Sequence, residues 1–230
     1  MHRLNKDFDR VICINLVERK DKKEESKLRF DSLGINVEWF NPVKFDFIPK
    51  IINPIVDSKI GNFNKTQPYE LGAFLSHYSV IKNALLNGCK KIFVFEDDCL
   101  FHKDFNNILP KYLDTIPLDA DGILFYSFQY ELLKENMRCS ARWTKGFKSW
   151  SLLAYGMNDL AMKKYIEIAD NQPQIADLIS YKMMELGFNF YVASPPLVIP
   201  SKSYSDIRNI KNYEINKSVY LLGVDESLYI

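Results

Sequence analysis

The sequence predicts an α/β fold with a mostly parallel central sheet flanked by helices. Short apolar runs, which are typical of buried strands, alternate along the chain with longer segments of helical periodicity. The apolar run 92–95 is followed directly by Glu96, Asp97 and Asp98. Because three carboxylates cannot enter a hydrophobic core, we expect them at the carboxyl end of this strand. In open α/β sheets, that edge is where ligands bind.

The chain begins with a strand–helix–strand unit. Residues 11–14 predict a buried strand, and the charged segment 19–33 has the sparse apolar positions of a surface helix, which Gly34 would end. Residues 37–43 predict a second strand, and the short links favour parallel pairing of the two strands. The segment 44–68 has no clear period, and long connections of this kind often form lids or binding loops.

A strongly amphipathic helix precedes the central strand. It is predicted to begin at Pro68, and Gly88 would end it. The later predicted elements are a helix at 105–112, a strand at 122–128, an irregular stretch at 129–149, a short strand at 152–155, a helix capped by Asn158, a helix at 175–186 and a strand at 188–193.

The overall composition argues against several classes of partner. The formal net charge of +1 gives no reason to expect a nucleic acid or an anionic membrane as a partner. No apolar run is long enough for a transmembrane segment, and the polar N-terminus lacks the apolar core of a signal peptide. The four cysteines have no CxxC spacing, which indicates free thiols in a reducing compartment. We therefore expect a cytoplasmic protein, with peripheral membrane association left open.

The three consecutive carboxylates predict a site for a divalent cation. Packing acids this closely is unfavourable unless a cation relieves the repulsion, and carboxylate oxygens suit Mg²⁺ or Mn²⁺. Alternation along an extended segment places Glu96 and Asp98 on one side, as the metal ligands, and Asp97 on the other, toward a ribose or a sugar. Two alternatives stay open: a single metal ligand whose neighbours hold loops, or an acidic turn on a solvated surface.

Two common phosphate-binding motifs are missing from the sequence. It has no glycine-rich turn followed by Lys-Ser/Thr and no GxGxxG fingerprint. A metal ion, rather than backbone amides, would then neutralise a bound diphosphate. That is the logic of the metal-dependent glycosyltransferases of the GT-A type.

Six motifs, in order along most of the chain, resemble those of glycosyltransferase family 25, the lipopolysaccharide and collagen galactosyltransferase group. They are Ile14-Asn15-Leu16 with Arg19 and Asp21, Glu70-Leu71-Gly72 with Ser76-His77, Phe95-Glu96-Asp97-Asp98, Ala154-Tyr155, Asp177 followed by Pro196, and Ser205-Asp206-Ile207. Lys22 replaces a second arginine, and residues 41–43 replace an Ala-Val-Asp/Gly pattern. Both departures bear on the identity of the sugar donor more than on the fold.

The resemblance implies one GT-A-like domain over residues 1–230, with a nucleotide-sugar half at about 1–128 and an acceptor-side half at about 129–230. It implies inverting transfer of a hexose, galactose or glucose, from a UDP-sugar to a hydroxyl of a glycan or glycosylated protein, with Mn²⁺ or Mg²⁺ as cofactor. Two alternatives are a non-catalytic sugar-binding domain of the same fold and a metal-dependent nucleotidyltransferase.

The resemblance also suggests which residues contact the donor. The expected donor-side residues are Asn15, Leu16, Arg19, Glu70, Ser76, His77 and Asp97. Structural roles are open alternatives: Asn15 would stabilise a turn, and His77 would form a helix-to-strand hydrogen bond that fixes the site. Arg19 would begin a solvated helix, and Glu70 would be a first-turn acid favoured by the helix dipole.

Asp177 and Asp206 are the expected catalytic residues. Asp177 stands at a predicted helix start, and its family position makes it a candidate for acceptor binding or for the general base. Asp206, in the C-terminal tail, would reach the metal or the acceptor. Their structural alternatives are an N-terminal helix acid for Asp177 and a loop cap for Asp206.

Overall fold

The computed structural model describes residues 1–42, 68–129, 140–147, 149–201 and 224–230. The predicted connection at 44–68 therefore lies outside the described residues, apart from its last position, and so does Asp206.

The described strands are interleaved with six α-helices. The strands are β1 (Arg10–Ile14), β2 (Glu38–Phe40), β3 (Lys91–Glu96), β4 (Cys99–Phe101), β5 (Gly122–Leu124), β6 (Phe128–Gln129), β7 (Trp143–Lys145), β8 (Ser149–Trp150), β9 (Ala154–Asn158), β10 (Phe190–Ala193) and β11 (Val198–Pro200). The helices are α1 (Arg3–Asp7), α2 (Lys20–Leu33), α3 (Pro68–Leu86), α4 (Phe105–Leu113), α5 (Asp159–Asn171) and α6 (Ala176–Glu185).

Seven of these strands form the central sheet, in the order β2-β1-β3-β9-β5-β10-β7. β1 pairs in parallel with both β2 and β3, and β5 pairs in parallel with β10. β9 is antiparallel to its neighbours β3 and β5, and β7 is antiparallel to β10. Since the other five strands share one direction, the predicted α/β class with a mostly parallel sheet is confirmed, in an arrangement consistent with a GT-A-like fold.

The central strand separates two hydrophobic cores. Phe93 and Phe95 enter one cluster, where Phe30 of α2 and Phe105 of α4 pack, and Ile92 and Val94 enter the other. The second cluster holds the apolar residues of α3, α5 and α6. This alternation is the period of a strand whose two faces are both covered by helices.

Several element boundaries differ from the sequence prediction. The strand predicted at 122–128 ends at Leu124, because the chain bends at Phe125 and Tyr126, although both side chains are buried. The strand predicted at 152–155 begins later and runs from Ala154 to Asn158. The predicted helix ends agree better: Gly34 ends α2 with a left-handed φ of 71°, and the Asn158 side chain accepts a hydrogen bond from the Ala161 amide.

Two further observations concern the helices and the cysteines in the described part of the chain. No helix there is long and apolar enough to cross a membrane. Cys13, Cys89 and Cys99 are buried free thiols, whereas Cys139 lies outside the described residues.

Candidate functional site

The acidic turn lies at the carboxyl edge of the sheet, as predicted. Glu96 is the last residue of β3, and Asp97 and Asp98 form the turn into β4. The parallel register places Ile14 opposite Glu96, so that Asn15, which follows β1, lies beside the turn. The two motifs that are 82 residues apart in the sequence thus meet at one sheet edge.

Asp97 ties this turn to β1 and α2. Its Oδ2 accepts a hydrogen bond from Asn15 Nδ2 at 2.6 Å, and its Oδ1 lies 3.7 Å from Lys22 Nζ. The Ser26 hydroxyl donates to the backbone carbonyl of Asp97. These contacts agree with the alternative in which Asp97 holds loops together and does not bind the metal. Asn15 also has a second polar atom, Oδ1, which is buried and has no hydrogen-bond partner among the described residues.

The contacts of Lys22 and Ser26 were not predicted from the sequence. A signal for them exists, however, because Lys22, Ser26 and Phe30 are the buried residues of α2 and recur at a spacing of four. On a helix that spacing defines one face, and Phe30 anchors this face in the core. Lys22 lies on this face and forms the described ion pair between α2 and Asp97. It is also the residue that departs from the family pattern.

The protein environment disfavours the ionised forms of Glu96 and Asp98. Burial and the charge of Asp97 raise the pKa of Glu96 to about 7. Burial and the charge of Glu96 likewise raise the pKa of Asp98 to about 7. The Asp98 backbone carbonyl accepts from the Ser201 amide at 2.7 Å, but its Oδ1 is buried without a hydrogen-bond partner among the described residues. Both carboxyl groups therefore favour a positive charge beside them.

These two residues fit a cation that is shared with a phosphate ligand better than a closed protein cage. Within the described ranges, no group of three or more His, Cys, Asp or Glu side chains converges as a metal site. Mg²⁺ is commonly held by one or two carboxylates, with substrate phosphates and waters completing its coordination. The buried, unpaired Oδ1 of Asp98 and the partly exposed Glu96 side chain supply that kind of partial donor set.

Helix α3 carries Glu70, Ser76 and His77, of which His77 contacts the acidic turn. His77 is 2% exposed, with Nε2 3.2 Å from Glu96 Oε1 and Nδ1 3.0 Å from the Tyr155 hydroxyl. Burial lowers the pKa of His77 to about 4, so the ring is neutral at neutral pH. Ser76 is buried and donates to the Gly72 carbonyl of its own helix, and Glu70 lies in the first turn, as its alternative role requires.

The turn after β1 is held by its own backbone and by an ion pair. The Leu16 carbonyl accepts from the Arg19 amide at 2.9 Å. The Arg19 guanidinium binds both carboxylate oxygens of Asp21 at 3.0 Å, which lowers the pKa of Asp21 to about 2. Arg19 thus stands at the start of α2, where its side chain is 19% exposed and bound to Asp21.

Asp177 is connected to Glu96 through the 151–153 segment, which the sequence predicted in part as a strand beginning at residue 152. It lies in the first turn of α6, where its Oδ1 accepts from the Leu152 amide at 3.0 Å. The next residue, Leu153, accepts at its carbonyl from the Glu96 amide at 2.8 Å. Ser151 precedes them with a φ of 103°, a strained value for a residue other than glycine. Asp177 therefore turns toward the 151–153 segment rather than away from the fold.

The raised pKa values predict an unusual pH dependence for the stability of the metal-free protein. Because the folded-state pKa values of Glu96 and Asp98, about 7, exceed the ordinary values of 4.5 and 3.8, the unfolded chain releases these protons first as the pH rises. Their contribution to the free energy of unfolding therefore falls from about pH 4 to pH 7. Mn²⁺ should raise the melting temperature more at pH 8 than at pH 5.5, since it binds the deprotonated carboxylates.

Thermal unfolding at both pH values, with Mn²⁺ and with EDTA, measures this dependence. Asp98→Asn is the matched variant, because it keeps the shape of the side chain and removes one of the two titrations. The pKa of Asp21 is lowered to about 2, so its contribution is lost only at more acid pH. Identical pH profiles for the wild type and Asp98→Asn would contradict the expectation.

Comparison with known proteins identifies the family. The family model described as "Glycosyltransferase family 25 (LPS biosynthesis protein)" matches residues 8–189. Human procollagen galactosyltransferase 2 is 29% identical over 122 residues, which cover 47% of this chain and 18% of that protein. Procollagen galactosyltransferase 1-A of Xenopus laevis is 32% identical over 130 residues, which cover 50% of this chain and 21% of that protein. Human inactive glycosyltransferase 25 family member 3 is 25% identical over 122 residues, covering 47% and 20%.

A solved structure is similar over a larger share of the chain. The crystal structure of a glycosyltransferase involved in the glycosylation of the major capsid of PBCV-1 aligns with a TM-score of 0.45 and 8% identity, covering 79% of each chain. This chain spans only about one fifth of the length of the curated relatives that it matches. The family model, by contrast, covers residues 8–189 with the acidic turn and Asp177 inside the match. The chain belongs to glycosyltransferase family 25.

Proposed function

We propose that this chain is a metal-dependent glycosyltransferase that moves a hexose from a UDP-sugar to a hydroxyl of a glycan or glycosylated protein, with inversion. The observation that carries the proposal is the pair of carboxylates at the carboxyl edge of β3. Glu96 and Asp98 both have raised pKa values there, and Asp98 Oδ1 is buried without a partner among the described residues. Membership in family 25 supports the reaction class.

On the donor side, Glu96 and Asp98 would hold Mn²⁺ or Mg²⁺ against the diphosphate. When bound, the ion supplies positive charge that stabilises the departing UDP. Asn15 would contact the nucleoside, because its buried Oδ1 can accept a hydrogen bond from an N–H or O–H of the ligand. Leu16 and Arg19 lie in the turn after β1, and Glu70 lies in the first turn of α3. We propose them as further donor-side residues.

On the acceptor side, we propose Asp177 as the general base. The acceptor hydroxyl would give its proton to the Asp177 carboxylate while its oxygen forms a bond to the anomeric carbon. The bond from that carbon to the diphosphate oxygen breaks, and UDP leaves with the electron pair. Attack opposite the leaving group inverts the configuration. The contact of Asp177 with the 151–153 segment, which also bonds Glu96, supports its place beside the reacting centre.

Galactose is the first sugar to test. Two of the relatives above are named procollagen galactosyltransferases, which supports UDP-galactose as the donor. UDP-glucose is the second choice. A non-catalytic sugar-binding domain is the competing function, because another relative is named an inactive family member.

Release of UDP from the donor tests the proposal directly. We expect the protein to release UDP from UDP-galactose or UDP-glucose with Mn²⁺ present, by slow hydrolysis or by transfer to a glycan acceptor, and to stop in excess EDTA. Full turnover in EDTA would exclude the metal role. Donor binding without any UDP release would indicate a sugar-binding domain, and release of pyrophosphate would indicate a nucleotidyltransferase.

A further inference from the structure

We infer that His77 and Tyr155 are positioning residues that orient Glu96 through a buried chain of two hydrogen bonds. The inference rests on the proposed function, in which Glu96 is a metal ligand. The two hydrogen bonds connect three elements: Tyr155 belongs to β9, His77 to α3, and Glu96 to the end of β3. The two contacts measure 3.0 Å from Tyr155 Oη to His77 Nδ1 and 3.2 Å from His77 Nε2 to Glu96 Oε1.

The direction of both hydrogen bonds follows from the ionisation of Glu96. A carboxylate that binds a cation is ionised and accepts hydrogen bonds only. His77 Nε2 must therefore carry the proton that is donated to Glu96. In a neutral imidazole the other nitrogen, Nδ1, is then an acceptor, and the Tyr155 hydroxyl donates to it. One tautomer of His77 thus gives hydrogen-bond partners to both of its ring nitrogens, to the Tyr155 hydroxyl and to Glu96 Oε1.

This arrangement leaves His77 little capacity to contact a ligand directly. Its side chain is 3% exposed, and both ring nitrogens have partners within the protein. A neutral imidazole also holds the carboxylate without cancelling its charge. Because His77 takes Oε1, the other carboxylate oxygen of Glu96 is the one that remains for a cation. Groups that hydrogen-bond a metal ligand in this way typically change metal affinity by about 10- to 100-fold.

A pair of tyrosine variants tests the chain. Tyr155 and Tyr165 are both fully buried, but the Tyr165 hydroxyl has no hydrogen-bond partner among the described residues. We expect Tyr155→Phe to weaken Mn²⁺ binding, by no more than the about 10- to 100-fold that is typical for loss of a group bonded directly to a metal ligand, because Tyr155 acts on Glu96 only through His77. EPR titration of free Mn²⁺ measures this affinity. Tyr165→Phe, which loses an equally buried hydroxyl, should leave the affinity unchanged.

A second pair keeps the test decisive if Tyr155→Phe does not fold. In His77→Gln, the longer amide can replace Nε2 and keep the contact to Glu96. In His77→Asn, the shorter amide replaces Nδ1 and keeps only the contact to Tyr155. We expect His77→Gln to bind Mn²⁺ more tightly than His77→Asn, and saturating Mn²⁺ to restore turnover in both. A merely structural role predicts equal losses that Mn²⁺ does not restore.

The wild type separates the two possible failures. If the wild type binds Mn²⁺ and Tyr155→Phe binds it with the same affinity, the positioning role alone is overturned. Equal Mn²⁺ affinities of His77→Gln and His77→Asn would have the same consequence. No Mn²⁺ binding by the wild type, in the EPR titration with or without UDP, would overturn the proposed metal dependence and the positioning role with it.

Discussion

Asp98→Ala is expected to lower turnover by at least about 10²-fold, the usual loss when one electrostatic stabiliser of a transition state is removed. The Asp98 carboxylate would face the cation and the diphosphate in both the bound donor and the transition state. Calorimetric titration with Mn²⁺ and UDP should therefore show weaker binding alongside the slower initial rate. Stability at pH 8 should be kept or raised, because the variant removes a carboxyl group whose burial disfavours its charge.

Asp104→Ala is the matched control for this loss. Asp104 is an exposed acid that follows β4, and its side chain does not cap α4. It should bind Mn²⁺ and UDP like the wild type. If Asp98→Ala also kept normal Mn²⁺ affinity, Asp98 would not be a metal ligand, and Glu96 would remain as the candidate ligand of the acidic turn.

Asp177→Asn is expected to lower turnover by roughly 10²–10⁴, the usual contribution of a positioned acid or base, while donor binding persists. The asparagine oxygen can still accept the hydrogen bond of the Leu152 amide, so the 151–153 segment stays in place while basicity is lost. Initial rates measure the turnover, and calorimetric titration with UDP and Mn²⁺ measures donor binding separately.

Asp177→Ala completes this test, because it removes both the basicity and the hydrogen bond to Leu152. A base role predicts a large loss in Asp177→Asn and at least as large a loss in Asp177→Ala. Near-normal turnover in Asp177→Asn, with a loss confined to Asp177→Ala, would make Asp177 an anchor of the 151–153 segment. The base would then lie elsewhere, and Asp206 would be the next candidate.

Local patterns in the sequence were enough to predict the position of the acidic turn. An apolar strand that is buried on both faces must end where charged residues begin, so the place of Glu96 follows from β3 alone. The start of α5 was predictable for a similar reason, since the capping hydrogen bond of Asn158 spans only three residues. The position of β9 was harder to predict from the sequence, because Gly156 and Asn158 have low strand propensity.

The contacts that shape the site could not be predicted, because they join distant parts of the chain. Tyr155 and His77 are 78 residues apart, and Ser26 and Asp97 are 71 residues apart. Such contacts depend on strand order and on the packing of helices against the sheet, which local periodicity does not encode. The sequence therefore located the carboxylates and offered His77 as a helix-to-strand hydrogen bond that fixes the site, but it did not identify the partners of His77 or the contacts of Ser26 and Lys22.

The insertion of β9 between β3 and β5 ties together the two halves that the chain was expected to contain. β9 comes from the second half, yet it fills the gap between two strands of the first. A fragment ending near residue 128 would therefore leave the backbone of β3 and β5 unpaired along the sides that β9 covers. Exposed strand edges of this kind recruit other chains and promote aggregation. The segments before and after residue 128 are thus joined through one sheet, so we expect neither to fold stably without the other.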